Sequence, residues 1–341
     1  MTLRLAIGFL AIAAVAVPAL GQDDLTVLPP AQNGYQPTTT EWGEPDFRGG
    51  WPIDHLNGRT PLMRDPKYGN RIFLTEEEFA ERAEQVEVLA KRSESEDESG
   101  TMGIGHWAEV AAANRRTSWI TSPANGRLPD YTPEGKRMSD AMRSTWRRGQ
   151  DWDWTTDFDS WDRCITRGLP ASMFPVMYNN GIRVFQSPGI VAIQFEMVHE
   201  TRIIPTDGRP GIPRQVDMWM GESRGRWEDG NTLVVETTNF KPGPSITNIG
   251  TTGSPPENDT PLSPSARMVE RFTMTGPDTI VYDFTWEDPV VFTAPWSGRL
   301  DWVRDDDFDI FEYACHEGNV QIRNYINTTR HDRAQKRESS Q

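Results

Sequence analysis

Hydrophobic and polar positions alternate most regularly between Ile182 and Pro205, where the chain reads IRVFQSPGIVAIQFEMVHETRIIP. Two β-rich runs flank Ser187-Pro188-Gly189, a turn signal that joins antiparallel strands. Side chains in a strand switch faces at every residue. Read as one strand, the second run puts Val191, Ile193, Phe195, Met197, His199, Thr201 and Ile203 on one face. Ala192, Gln194, Glu196, Val198, Glu200 and Arg202 take the other. The first face is apolar except for His199 and Thr201. It predicts a buried row that carries His199 inward, toward a core or cavity.

Similar β-rich runs follow at 223–227, 232–238, 268–274, 279–287, 290–293, 300–303 and 309–315. Glu228-Asp229-Gly230-Asn231 and Gly276-Pro277-Asp278 are turn signals between neighbouring runs. No helical pattern separates them, so a parallel βαβ sheet is not indicated. Eight or nine strands in meander order predict a mainly β protein. The expected form is an antiparallel up-and-down barrel, lipocalin-like in strand pattern, or else a sandwich. A barrel also removes exposed sheet edges. Residues 241–264 are rich in Pro, Gly, Ser and Thr and read as a long surface loop.

The first half of the chain has a different pattern. Residues 22–40 show no periodicity and read as an extended arm. Residues 41–69 contain too many Gly and Pro for a long element, but Trp42, Phe47 and Trp51 look like anchors onto a larger body. Thr75 followed by Glu78 has capping-box spacing and opens a helix through Phe79, Ala83, Val86 and Leu89. The acidic run 93–100 reads as the solvated loop that ends it. Thr132-Pro133 opens a second helix, expected to pass Met138, Met142 and Trp146 and stop near Gly149. The expected organisation is therefore 22–159 as an arm and helical wrapping region, 160–330 as the β-barrel domain, and 331–341 as a charged tail.

Residues 1–21 read as a signal peptide. Arg4 precedes the apolar run 5–17, and Ala19 and Gly21 offer small residues at a cleavage site before Gln22. The run is shorter than a membrane span needs, so cleavage and a periplasmic or secreted protein are expected, with no stable membrane insertion afterwards. The two cysteines, Cys164 and Cys315, are then best read as a disulfide. The 341 residues include 13 Trp and 14 Phe, enough large side chains for a sizeable core. A formal net charge of −15 repels nucleic-acid phosphates, which makes nucleic acid an unsuitable partner.

The chemical motifs are sparse. Gly221-Glu222-Ser223-Arg224-Gly225 matches a serine-nucleophile pattern, but it leads into a hairpin rather than a helix, so its required context is missing. Asp151, Asp153, Asp157, Asp159 and Asp162 interleave with Trp152, Trp154 and Trp161. Calcium or a sugar would suit such a run. An EF-hand would need Gly where Thr156 stands, and an acidic surface loop with inward-packed Trp is the plainer reading. The five histidines make no metal-ligand pair, so no metal is expected. No phosphate loop, dinucleotide fingerprint or haem motif is present, and no cofactor is expected.

Several stretches, among them DRCITRGLP at 162–170, HETRIIP at 199–205, TLVVETTNF at 232–240 and YACHEGN at 313–319, resemble a family of exported proteins of soil and marine bacteria. The resemblance implies export and one architecture over roughly the last half of the chain. It transfers no catalytic residue.

The pattern therefore points to a small apolar or aromatic ligand held in a barrel, with acid–base chemistry such as elimination, isomerisation or hydrolysis. His199, Asp283, Glu312 and His316 are the catalytic candidates, because a carboxylate beside a dry histidine shifts both pKa values. Arg163, Arg167, Tyr178 and Arg202 are the ligand-binding candidates. The competing reading is a carbohydrate- or surface-binding module using exposed Trp residues, or a structural envelope protein. The oligomeric state is open.

Overall fold

The computed structural model describes residues 24–31, 34–100, 108–143, 149–248 and 259–340. The leader expected at 1–21 lies outside them. The chain is mainly β, and its strands pair antiparallel throughout. β3 (Ile182–Ser187) and β4 (Ile190–Phe195) form the expected hairpin, with Gly189 at φ +72° in the turn, a conformation that favours glycine.

The long run that follows is not one strand. Met197–His199 form a short 3₁₀ turn, with Val198 at φ 61° and His199 at φ 42°. The chain reverses there into β5 (Thr201–Pro205), so that Val191 pairs with Ile204 and Gln194 with Thr201. Buried Glu196 holds the reversal. Its carboxylate accepts the Gly181 N–H (3.0 Å), the Asn179 side-chain amide (2.9 Å) and the Phe311 N–H (3.2 Å). Parity changes across the turn: Arg202 and Ile204 are buried, while Ile203 is exposed and so is His199. The row expected to carry His199 inward therefore ends at Phe195 and the turn behind it.

A four-stranded sheet has the order β1-β3-β4-β5, where β1 is Gly49–Gly50. A six-stranded sheet contains β2 (Ile120–Ser122), β6 (Glu222–Glu228), β7 (Thr232–Thr238), β10 (Arg267–Gly276), β11 (Thr279–Glu287) and β12 (Trp296–Val303). Its order is β2-β12-β11-β10-β7-β6. β8 (Gly243–Asn248) and β9 (Asp259–Leu262) form a separate pair inside the stretch expected to be loop. Among the described residues no ladder joins β5 to β6. At the other margin Asp305 donates its N–H to the Gly50 carbonyl (3.0 Å), and Gly50 donates to Asp306 Oδ1 (2.8 Å).

One core serves both sheets. Val184, Ile193 and Ile204 from the smaller sheet join Leu233, Phe272, Tyr282, Trp286, Leu300 and Trp302 from the larger. Phe174 packs edge-on against Phe284 (5.5 Å), and Phe272 against Trp302 (5.4 Å). Phe47 and Trp51 of the N-terminal region are buried in the same core, as anchors should be. Space between the sheets is thus taken up by aromatic side chains, each worth about 1.5–3 kcal/mol or more when fully buried.

The helices depart from expectation in extent. α1 (Glu76–Ser99) begins with the capping box: Glu78 N–H donates to Thr75 Oγ1 (3.2 Å), and Thr75 N–H donates to Glu78 Oε2 (2.9 Å). It continues through the acidic run expected to end it, helped by the Arg92–Glu96 pair one turn apart (2.8 Å). α2 (Pro133–Ala141) is capped by Thr132, which accepts the Gly135 N–H (2.9 Å), and stops before Met142; residues 144–148 lie outside the described residues. α3 (Gln321–Ser339) spans the end of the expected barrel and its tail. Residues 309–315 are not a strand, so the expected last strand does not close a barrel; 290–293 are not one either.

Candidate functional site

The residues expected to converge lie in separate places. Asp283 sits on the outward face of β11 and pairs with Arg299 through two bonds (2.6 and 2.8 Å). His199 is exposed, with Nδ1 2.8 Å from the Tyr313 carbonyl oxygen. Glu312 and His316 are exposed on the same irregular C-terminal segment. These four do not form the expected acid–base group, because the hairpin turn replaces the strand that would have aligned them.

The arginines are also distributed. Arg167 is buried, with its guanidinium 4.9 Å from the Trp161 ring and donating to the Phe174 carbonyl (3.2 Å). Burial pushes its pKa down to about 10. Tyr178 joins Trp161 and Tyr313 around Val176, Met197 and Val198. Burial first, and then Tyr178, push the Tyr313 phenol up to about 12. Arg202 points into the core toward Glu270.

What the fold assembles instead lies along the unjoined margin between β5 and β6. A groove of about 560 Å³ opens there, lined by Glu200, Ile203, Ile212, Met218, Trp219 and Met220, with Arg202 and Ser223 at its floor. Two local structures line it and a third packs against them. The hairpin turn delivers Glu200. The chain between β5 and β6 delivers Met218 and Trp219, fixed by Met218 N–H to the Asn239 carbonyl (2.9 Å) and Lys241 N–H to the Met218 carbonyl (2.8 Å). Gly221 ends this turn at φ +66°, where a Cβ would meet Thr237 and Thr238 atoms at 2.7 Å.

The third structure is the loop 160–168. Ser160 Oγ donates to the Thr166 carbonyl (2.8 Å), which closes the loop and aims the Thr166 side chain at Glu200. The Cys164–Cys315 disulfide and the bond from Asn319 Nδ2 to the Asp162 carbonyl (3.2 Å) fasten this loop to the C-terminal segment. Arg163, from the same loop, stands 5.7 Å from the Trp219 ring, and Lys241 stands 5.4 Å from it.

Glu200 is the chemically distinctive group. Burial pushes its carboxyl up to about 7, against the opposing effect of the Thr166 hydrogen bond. Among the described residues no cation pairs with it. Thr166 Oγ1 accepts the Gly168 N–H (2.9 Å) and lies 2.5 Å from Glu200 Oε2 and 3.2 Å from Met220 Sδ. A hydroxyl has one proton to give. With Glu200 ionised, Thr166 donates to it. With Glu200 protonated, the acid can donate to Thr166 and the threonine proton can turn to sulfur. Both charge states of Glu200 are therefore accommodated. Sequence parity places Glu200 on the strand face opposite the apolar row, and nothing in its neighbourhood signals Thr166 or Trp219.

Ser223 is a buried strand residue that accepts from Arg202 Nε (2.8 Å) and contacts Thr237 Oγ1 (3.0 Å), as the missing nucleophile context required. The acidic run 151–162 engages neighbouring arginines: Asp153 pairs with Arg333, and Asp157 with Arg143 (2.7 Å). No family model and no curated protein matches this chain, so its own geometry carries the functional reading.

Proposed function

We propose that this is an exported protein that binds a small apolar or aromatic molecule in the groove between β5 and β6, with Glu200 moving a proton to or from it. The single observation behind this reading is a carboxyl pushed up to about 7 in a groove faced by Trp219, Met218 and Ile203. A proton donor or acceptor works best when its pKa lies near the operating pH. The acid–base role thus passes from His199 to Glu200, and Arg163 keeps a binding role beside Trp219.

The body is barrel-like in this reading. β12 is followed by Asp305, which bonds to Gly50 of β1 (3.0 Å), and Arg202 of β5 bonds to Ser223 of β6 (2.8 Å), so both margins between the sheets are bridged. The ligand lies in one margin rather than in the aromatic-filled interior. The Cys164–Cys315 disulfide supports export, because such bonds persist in oxidising compartments. No helix among the described residues is long and apolar enough to cross a membrane.

A sugar-binding platform needs aromatic faces open in a row. Trp152 is buried, Trp161 is half-buried and Trp154 is exposed, so these three favour the groove reading. Ligand-observed NMR with a mixture of small aromatic fragments tests it. Fragments should bind the parent protein and be released by Trp219→Ala and by Ile203→Ser, each folded by circular dichroism. Binding that survives both substitutions, or no binding at all, would overturn the reading.

A further inference from the structure

Resting on the groove reading above, we infer that its ligand is an organic anion: an apolar or aromatic carboxylate whose charge is met by Arg163, Lys241 and the Glu200 carboxyl. The protein carries a formal charge of −15, yet two cations converge on one groove residue. Arg163 and Lys241 lie 5.7 and 5.4 Å from the Trp219 ring, and among the described residues neither has a carboxylate partner. Stacking on an aromatic face holds a cation without neutralising it, so both charges remain available to a ligand lying against Trp219.

The other charged groups around the groove are largely matched. Glu222 pairs with Arg224 and also accepts the Ile212 N–H (3.0 Å). Arg202 is turned inward to Glu270. Asp217 is exposed at the rim and, like Glu200, has no cation partner among the described residues. His199, next to Glu200 in sequence, is turned to the Tyr313 carbonyl (2.8 Å). Thr166 and Met220, packed on Glu200, carry no charge. Two cations thus oppose Asp217, and Glu200 changes the balance according to its proton.

That proton decides the ligand's sign. Protonated Glu200 donates a hydrogen bond to an incoming carboxylate, whose apolar body would lie against Ile203, Met218 and Trp219. Ionised Glu200 would set two carboxylates together in a poorly solvated groove, where like charges disfavour one another strongly. An ammonium ligand would behave oppositely: it would gain from ionised Glu200 and be opposed by Arg163 and Lys241. Affinity for an anion should therefore fall as pH rises through about 7, whereas affinity for a cation should rise.

The test uses three matched probes: phenylacetate, its neutral amide and phenethylamine, titrated calorimetrically into the full-length mature protein. Phenylacetate should bind best, and its affinity should drop by roughly an order of magnitude or more between about pH 6 and about pH 8.5, since only the protonated fraction is competent. Glu200→Gln keeps a donor and removes the titration, so phenylacetate should bind it with little pH dependence. Joint Arg163→Gln and Lys241→Gln should weaken phenylacetate selectively, and unchanged amide binding by that variant would report an intact groove. Preference for the amide or the amine, pH-independent phenylacetate binding by the parent, or indifference to the double substitution would overturn the inference while leaving the groove in place. Failure of all three probes, together with the fragment mixture, would remove the groove reading as well.

Discussion

Arg202 of β5 and Glu270 of β10 form a buried ion pair that ties the two sheets together where no ladder does. Their side chains are 2% and 0% exposed. Arg202 Nη1 donates to Glu270 Oε1 (2.8 Å), Nη2 to Thr237 Oγ1 (2.7 Å) and Nε to Ser223 Oγ (2.8 Å), while the Tyr282 hydroxyl donates to Glu270 Oε1 (2.9 Å). One side chain thereby reaches β6, β7 and β10 from the opposite sheet. Removing one partner leaves an uncompensated buried charge, at a cost of about 3–5 kcal/mol. Glu270→Ala should lower unfolding stability in urea by that amount, and adding Arg202→Met should recover part of it. A loss under about 1 kcal/mol would show that the pair does not hold the sheets.

Glu200 makes stability depend on pH with a definite sign. Its carboxyl is raised from 4.5 to about 7 in the folded chain. Between those values the folded protein holds a proton that the unfolded chain has released. The stability linked to that proton is full below about 4.5, declines as pH rises, and is lost above about 7. Its size is on the order of 2–3 kcal/mol. Glu200→Gln should melt close to the parent in acid and several degrees higher at about pH 8. Parallel melting curves across that range would contradict the raised carboxyl.

The disulfide supports the groove as well as the fold. Cys164 belongs to the loop that carries Arg163 and Thr166, and Cys315 to the segment that contacts His199. Peptide mapping without reductant should recover the joined peptides from exported protein. Replacing both cysteines with serine should cost about 2–5 kcal/mol and weaken fragment binding as the loop loosens. Unchanged binding would separate the disulfide from the site.

His199 should be dispensable for stability, because it lies on an exposed turn and its ring makes one contact to a backbone oxygen. His199→Gln is expected to change unfolding stability by less than about 0.5 kcal/mol and to leave groove binding intact. Loss of binding in a stable variant would return His199 to the site.

Export predicts a processed chain. Intact mass of protein recovered from the periplasm or medium should correspond to a start near Gln22. A mature species still carrying residues 1–21 would exclude the proposed cleavage.

Local signals in the sequence located much of the secondary structure, because each depends on neighbours along the chain. The β-rich runs Thr232–Thr238 and Thr279–Glu287 are strands of those bounds. Thr75 with Glu78, and Thr132 with Pro133, cap helices through bonds made within a few residues. The cysteine pair followed from the expected export alone. Period-two alternation could not distinguish one strand from two strands folded back through a turn, and so Glu196 and its three distant donors decided the course of 190–205. That reversal exposed His199 and put Glu200 into the groove. Thr166 bonds Glu200, and Arg163 and Lys241 stand against Trp219; these residues come from distant parts of the chain, and the groove that Glu200 and Trp219 line exists because β5 and β6 lie side by side without pairing. Tertiary packing also set the charge behaviour of Glu200, since burial raises its carboxyl against the lowering effect of the Thr166 hydrogen bond, and neither is written in the residues beside it.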